Sequence, residues 1–573
     1  MQPPRTLLRR LLVLRSSKAS TPSRPFTRHT NLASRGRPQI PFLSVPLARN
    51  HQFRYLTTER KRWLAYEVYL GLKYTIYVWA IAGFSLVSYW SIQQEWLERK
   101  YPTPHEWKFI TRLHFRLARW APDRTDLAQA DWVLTGNYAK SVLERLEDTK
   151  VDGAGLQDLS GNGSPAYDIT TKGEPWRRGY YEALMLCAKA AEHLDDQVVD
   201  KTRHLVFPAN QVIGPSNPTP KPISHGSPSA PHEKDCERAY EVPDNFYNKI
   251  LATRGFTPKQ KMDAALEYAS WLEFKGLPDD SGLMYEWALA LAAETSLPAP
   301  PPYDAQSFVL QDTTTRQPST NLLTTLTAIA THKARNGDVA TALPILISIL
   351  RARRSLPHPQ STSKPIFDEP EELRASSSPW SFENVTGVAK RLMSPPAYPA
   401  PPADGSSPPV RNAKELCEEA GLNLYIGEII YASSPSGRNN REDGLAWTRE
   451  AVDLAEEQLH KLRNGDNSGG GRESNIAEAK KTCSECLTSG LENWRVMVAR
   501  LAREEREREK ADSAKAGAAG GWLAGLWGES KVESTGGRWA AEENVVRERT
   551  RRAQEMLEED EAPTAGLASL FTA

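Results

Sequence analysis

Two cysteines three positions apart, Cys483 and Cys486, come nearest in type and spacing to chemistry in this chain. A Cys-x2-Cys pair that opens a helix after a strand is a redox dithiol, and the same pair joined by a second ligand pair holds zinc. Here both lie inside a run of helical pattern, with no strand–helix–strand pattern around them, and Cys417 alone is a poor metal complement. Cysteine also serves as a small helix-contact residue, so packing is the favoured reading and a thiol oxidoreductase the less favoured alternative. Five cysteines (Cys187, Cys236, Cys417, Cys483 and Cys486) are too few and too scattered for a disulfide framework. His105 and His114 stand alone, with no carboxylate or second imidazole at ligand spacing. The sequence has no Gly-Lys-Ser or Gly-Lys-Thr phosphate loop, no Gly-x-Ser-x-Gly and no His-Glu-x-x-His. The expectation is a non-enzyme with no catalytic residue, cofactor or metal, and with no nucleic-acid or small-molecule partner.

The elements around those cysteines repeat. Residues 321 to 350 place Leu326, Ile329, Ala330, Gly337, Ala342, Leu346 and Ile349 in the spacing of a tetratricopeptide unit. Two antiparallel helices must touch along their length, so small residues stand at Ala330 and Ala342, and Gly337-Asp338 makes the turn. Pro344 is assigned to the first turn of the second helix, where proline is tolerated. The same register recurs with Ala265, Ala269, Ser281, Tyr285 and Ala288 around a Gly276-Leu277-Pro278 break. It recurs again with Leu424 to Tyr431 followed by Gly444, Thr448 and Ala451, split by SSPSGRNNRED, and with Gly490, Leu491 and Trp494 followed by Val546, Thr550 and Ala553. A weaker unit pairs Trp132 to Leu146 with Gly179 to Leu194, which makes about five helix pairs.

The N-terminal part has a different character. Residues 1 to 58 carry eleven Arg or Lys and no Asp or Glu, the balance of a mitochondrial transit peptide, with processing expected near Leu56. Leu70 to Ile92 has no charged residue between Tyr74 and Trp90. At ~1.5 Å per residue it spans roughly 34 Å, enough for a ~30 Å hydrocarbon core. Arg60, Lys61, Arg62 and Lys73 precede the span, so the positive-inside bias puts the N-terminus in the matrix and the rest in the intermembrane space. After the span, helix should run to about Lys100, stop at Pro102 and Pro104, and restart with Trp107, Ile110, Leu113, Leu117 and Trp120 as a packing stripe.

The expected organisation is a presequence over 1–57, a matrix-side basic segment over 58–69, a transmembrane helix over 70–92 and a juxtamembrane helical segment over 93–124. An all-α domain of tetratricopeptide-like helical repeats, a solenoid, then fills 125–573. Within it, 207–233, 295–320, 353–410, 464–473 and 508–538 have the Pro, Ser, Gly, Ala or charged composition of disordered insertions.

This architecture, together with Cys483-x2-Cys486-Leu487-x2-Gly490-Leu491-x-Asn493-Trp494 in the last unit, resembles the fungal adaptor subunit of the mitochondrial i-AAA protease. The resemblance covers most of the chain at the level of architecture, and the insertions at 353–410 and 508–538 depart from a compact array. It implies an inner-membrane, protein-binding scaffold that presents substrates, including misfolded membrane proteins, to an AAA protease complex for quality control. A respiratory-complex assembly factor built on the same architecture is the alternative.

Overall fold

The computed structural model describes residues 58–124, 130–159, 166–223, 226, 228–294, 302–311, 317–357, 398–433, 438–464, 473–519 and 537–561. The expected presequence and its expected processing site lie outside these residues. Thirteen helices hold 71% of what is described, so the fold is mostly helical. Two compact units are present, one ending at Val87 and one beginning at Ser88.

Helix α1 (Thr58–Lys100) is, among the described residues, the one helix long and apolar enough to cross a membrane, and none of its apolar window is buried. Trp79, Ile81, Phe84 and Leu86 stand out from it unpacked.

In the second unit, the chain after Lys100 turns at Pro102 and Pro104 into α2 (Phe109–Trp120). Its buried face is not the expected aromatic and leucine stripe. Thr111, Phe115, Arg116 and Ala118 point inward beside Trp107, whereas Ile110 is exposed. The reason is electrostatic. Glu98 is 3% exposed and accepts hydrogen bonds from the Thr103 hydroxyl at 2.7 Å and Arg112 Nη2 at 2.9 Å, and it is paired with Arg116. Burial pushes the Glu98 carboxyl up, but Thr103, Arg112 and Arg116 together outweigh it and hold it below its ordinary range. Polar residues thus occupy positions that a hydrophobic pattern assigns to solvent.

Helix α3 (Trp132–Glu147) packs on both α2 and α4 (Glu174–Leu194), and the pairs that follow are α4 with α5 (Pro243–Ala252), α6 (Pro258–Phe274) with α7 (Pro278–Glu294), and α8 (Thr320–Arg335) with α9 (Val339–Arg354). The last four helices are α10 (Ala413–Ser433), α11 (Arg438–Arg463), α12 (Glu473–Ala519) and α13 (Arg538–Glu561). Local signals start them. Thr257 and Gln260 form a reciprocal capping box on α6, and the Ser319 and Asp338 side chains cap α8 and α9. Gly276 and Gly337 end α6 and α8 with φ of +77° and +85°, and the next amides, of Leu277 and Asp338, reach back to the Leu272 and Lys333 carbonyls. The two turns therefore share one glycine-dependent geometry.

Several expectations need correcting. The domain is not purely α: β1 (Gln157–Asp158) pairs with β2 (Tyr167–Asp168), and β3 (Gln197–Asp200) lies between β4 (Leu205–Pro208) and β5 (Cys236–Arg238). The second sheet takes in the edge of the expected insertion 207–233, where Ile213 also bridges to His232. Residues 302–311 of the expected insertion 295–320 fold back through a Tyr303–Leu310 bridge and bury Leu310. Helix α12 runs to Ala519, past the start of the expected insertion at 508. Pro344 lies beyond the first turn of α9, so the Ala340 carbonyl loses its usual amide partner. The insertion sections 358–397, 465–472 and 520–536 lie outside the described residues.

Candidate functional site: a groove along the first helices of successive pairs

The residues expected to pack the repeats are placed inside the domain. Leu326, Ile329, Ala330, Ala342, Leu346 and Ile349 are buried between α8 and α9 and their neighbours, and Gly337 is the exposed turn between those helices. Ser281, Tyr285 and Ala288 are buried on α7. Gly444, Thr448 and Ala451 on α11 and Gly490, Leu491 and Trp494 on α12 line the C-terminal core. Glycine at 490 leaves room for Val452, since a Cβ there would stand 2.8 Å from its Cγ2. Of these side chains, Tyr285 also reaches the groove described next.

The surface that can meet a ligand is a groove of about 810 Å³. It is lined mainly by α4, α6, α8 and α10, with Arg119 of α2, Tyr285 of α7 and Arg353 of α9 added. Helix α8 shows how the two faces divide. Leu326, Ile329 and Ala330 turn into the core, while Thr324, Thr327 and Thr331 turn to the groove. Those threonines bond back to carbonyls four residues earlier, at 3.0, 2.8 and 2.8 Å, which satisfies the hydroxyls and leaves methyl groups as lining. Met185 and Leu266 add apolar surface and Tyr181 and Tyr425 add rings. The groove is thus amphipathic along its length.

Its charges are mixed. Glu182 pairs with Arg119 at 3.1 Å and Glu267 with Lys189 at 3.7 Å. Burial pushes the Glu182 carboxyl up against the pull of Arg119. Asp263 is pushed up to about 6 by burial, with Lys259 opposing and Glu267 reinforcing. A groove with alternating charges, methyl groups and rings suits an irregular polypeptide surface.

Neither cluster with a superficial likeness to an active site has the geometry for chemistry. Ser281 Oγ stands 3.5 Å and Glu273 Oε1 3.7 Å from the same His332 nitrogen, Nδ1. In a nucleophilic triad serine and acid flank opposite nitrogens, and here the Ser281 hydroxyl is buried and turned to the Pro278 carbonyl at 2.9 Å. Cys483 is joined not to Cys486 but to Cys417, across α10 and α12, with Cα atoms 5.1 Å apart. The five cysteines, too few and too scattered for a disulfide framework, thus include one bonded pair, and that bond removes the dithiol from the Cys483-x2-Cys486 spacing. Cys486 is buried with its thiol pushed up to about 12 by desolvation. Among the described residues no group of three or more His, Cys, Asp or Glu converges on a metal position.

No protein-family model, curated protein or solved structure matches this chain.

Proposed function

We propose that this chain is a membrane-anchored, protein-binding scaffold of the mitochondrial inner membrane, and that it acts as an adaptor presenting substrates to the i-AAA protease. Its helix pairs are, on this reading, tetratricopeptide-like units whose first helices line the binding groove. The observation that carries the proposal is that groove, amphipathic and open across four successive first helices. Two further features support it. Helix α1 is long and apolar enough to cross a membrane, and the Cys417–Cys483 disulfide suits a domain that matures in an oxidising compartment, as the intermembrane space would be.

The test is proximity labelling from a C-terminal tag in intact mitochondria, with protease protection of the tag in mitoplasts. Adaptor function requires a labelled set led by the AAA protease and its clients, and a tag cut only after the outer membrane is opened. A set led by respiratory-complex subunits would move the assignment to an assembly factor. Protection in mitoplasts would reverse the orientation.

A further inference from the structure

Residues 398–409, read from composition as part of the disordered insertion 353–410, are seated along one rim of the groove domain. They contact the beginnings of three successive first helices. On α4, Arg178 lies over the Tyr398 ring, 4.2 Å from guanidinium carbon to ring centroid, and donates from Nη2 to the Pro399 carbonyl at 2.5 Å. On α6, Lys259 Nζ donates to the Ala403 carbonyl at 2.9 Å. On α8, the Asn321 side chain donates to the Asp404 carbonyl at 2.9 Å, and the backbone amides of Asn321 and Thr320 donate to the Gly405 and Ser407 carbonyls at 3.1 and 3.2 Å.

Arg178 Nε also donates to the Tyr398 hydroxyl at 3.3 Å, and every other one of these hydrogen bonds ends on a backbone carbonyl. The two α8 amides belong to the four that a helix leaves unpaired at its start, so the rim is a row of donors that a chain satisfies without supplying particular side chains. Proline suits it, because a residue without an amide hydrogen loses nothing where the hydrogen bonds run from the helices to the segment. Apart from Tyr398 and Gly405 the segment is largely exposed, so little apolar surface holds it down.

From this we infer that residues 398–409 are a resident pseudo-ligand, and that the rim along α4, α6 and α8 binds a proline-rich, non-helical segment of a partner protein by displacing them. The inference rests on reading the groove domain as protein-binding, and it supplies the chemistry of the partner: prolines and small residues, with an aromatic ring for Arg178. A tethered segment competes at an effective concentration on the order of millimolar. The unmodified chain should therefore bind a free segment of the same kind far more weakly than a chain whose own copy is gone.

The experiment uses a fluorescently labelled synthetic peptide with the sequence of residues 398–409, titrated by anisotropy into the detergent-solubilised full chain. The same titration is made with a variant in which 398–409 are replaced by a Gly-Ser sequence of equal length. At least tenfold tighter binding to the replaced variant is expected, with loss of that gain when Arg178→Ala and Asn321→Ala are added. Equal binding to unmodified and replaced chains, or a gain that survives Arg178→Ala and Asn321→Ala, would overturn the inference. Should the replaced variant lose its helical circular dichroism, Tyr398→Ala gives the same comparison, with severalfold tighter binding expected and no change overturning it. A failure here with the labelled set of partners intact would sink the pseudo-ligand and leave the scaffold reading standing.

Discussion

Gly427 of α10 and Gly444 of α11 meet backbone to backbone: a Cβ on Gly427 would stand 2.8 Å from the Gly444 carbonyl oxygen, and one on Gly444 would stand 2.7 Å from that of Gly427. Alanine ordinarily favours a helix over glycine by about 1 kcal/mol. Contact with an unyielding backbone reverses that sign, because overpacking costs about 1–3 kcal/mol. Gly427→Ala and Gly444→Ala should each lower the unfolding midpoint, whereas Gly421→Ala, where nothing lies within 4 Å of the added carbon, should raise it. Thermal denaturation of the three variants side by side checks the sign of each.

Glu98 anchors a second prediction. Removing it leaves Arg116 buried without its carboxylate, and breaking such a pair costs about 3–5 kcal/mol. Glu98→Gln should destabilise the domain by an amount in that range at pH 7. Because the folded carboxyl is held below 4.5, its contribution is fully present above that pH and is lost as pH falls through the folded value. Denaturant titrations of both proteins from pH 7 down to pH 3 should therefore converge at the acid end.

Asp263 has the opposite sign. Its folded pKa, about 6, stands above the ordinary 3.8, so the native state holds the proton more tightly and stability falls as pH rises from about 4 to 6. Asp263→Asn should stabilise the domain at pH 7 by on the order of 1–2 kcal/mol, reduced from the full linkage value because groove water reaches the side chain. The gain should vanish below pH 4. A gain that persists there would assign the effect to packing instead.

The disulfide closes a loop of 66 residues. A crosslink of this reach contributes about 2–4 kcal/mol, so Cys417→Ser with Cys483→Ser should lower the midpoint by that amount, and reductant should do the same to the natural chain. Non-reducing peptide mapping should recover a Cys417–Cys483 linkage. Native alkylation should reach the partly exposed Cys236 before the buried Cys187 and Cys486. A Cys483–Cys486 linkage would revive the redox alternative.

The sequence made the helix pairs legible where small residues mark close contact. Ala330 and Ala342, Gly276 and Gly337 announce their turns and crossings through requirements only those residues meet. The groove was partly within reach, since Thr324, Thr327 and Thr331 recur at helical spacing opposite Leu326 and Ile329. Other features gave no local sign. Cys417 and Cys483 are brought together by two long helices, and nothing beside either one indicates its partner. Glu98 and Arg116 look like surface charges because burial depends on what each meets in space. Residues 398–410 have the composition of a loop that cannot bury enough to order itself, and their order comes instead from carbonyls meeting donors on helices far away in sequence.

That last segment also carries a length. Tyr398 is held under Arg178, and Gly405 is held at φ +69° where any Cβ would collide with the Asn321 side chain. Adding one residue between them would introduce about 3.5 Å of chain and unseat one anchor. A proline-rich stretch is commonly free to grow or shrink, yet here the seven steps from Tyr398 to Gly405 act as a gauge, matched to the distance between the starts of α4 and α8. Related chains that keep both anchors should vary in the letters between them and not in their number.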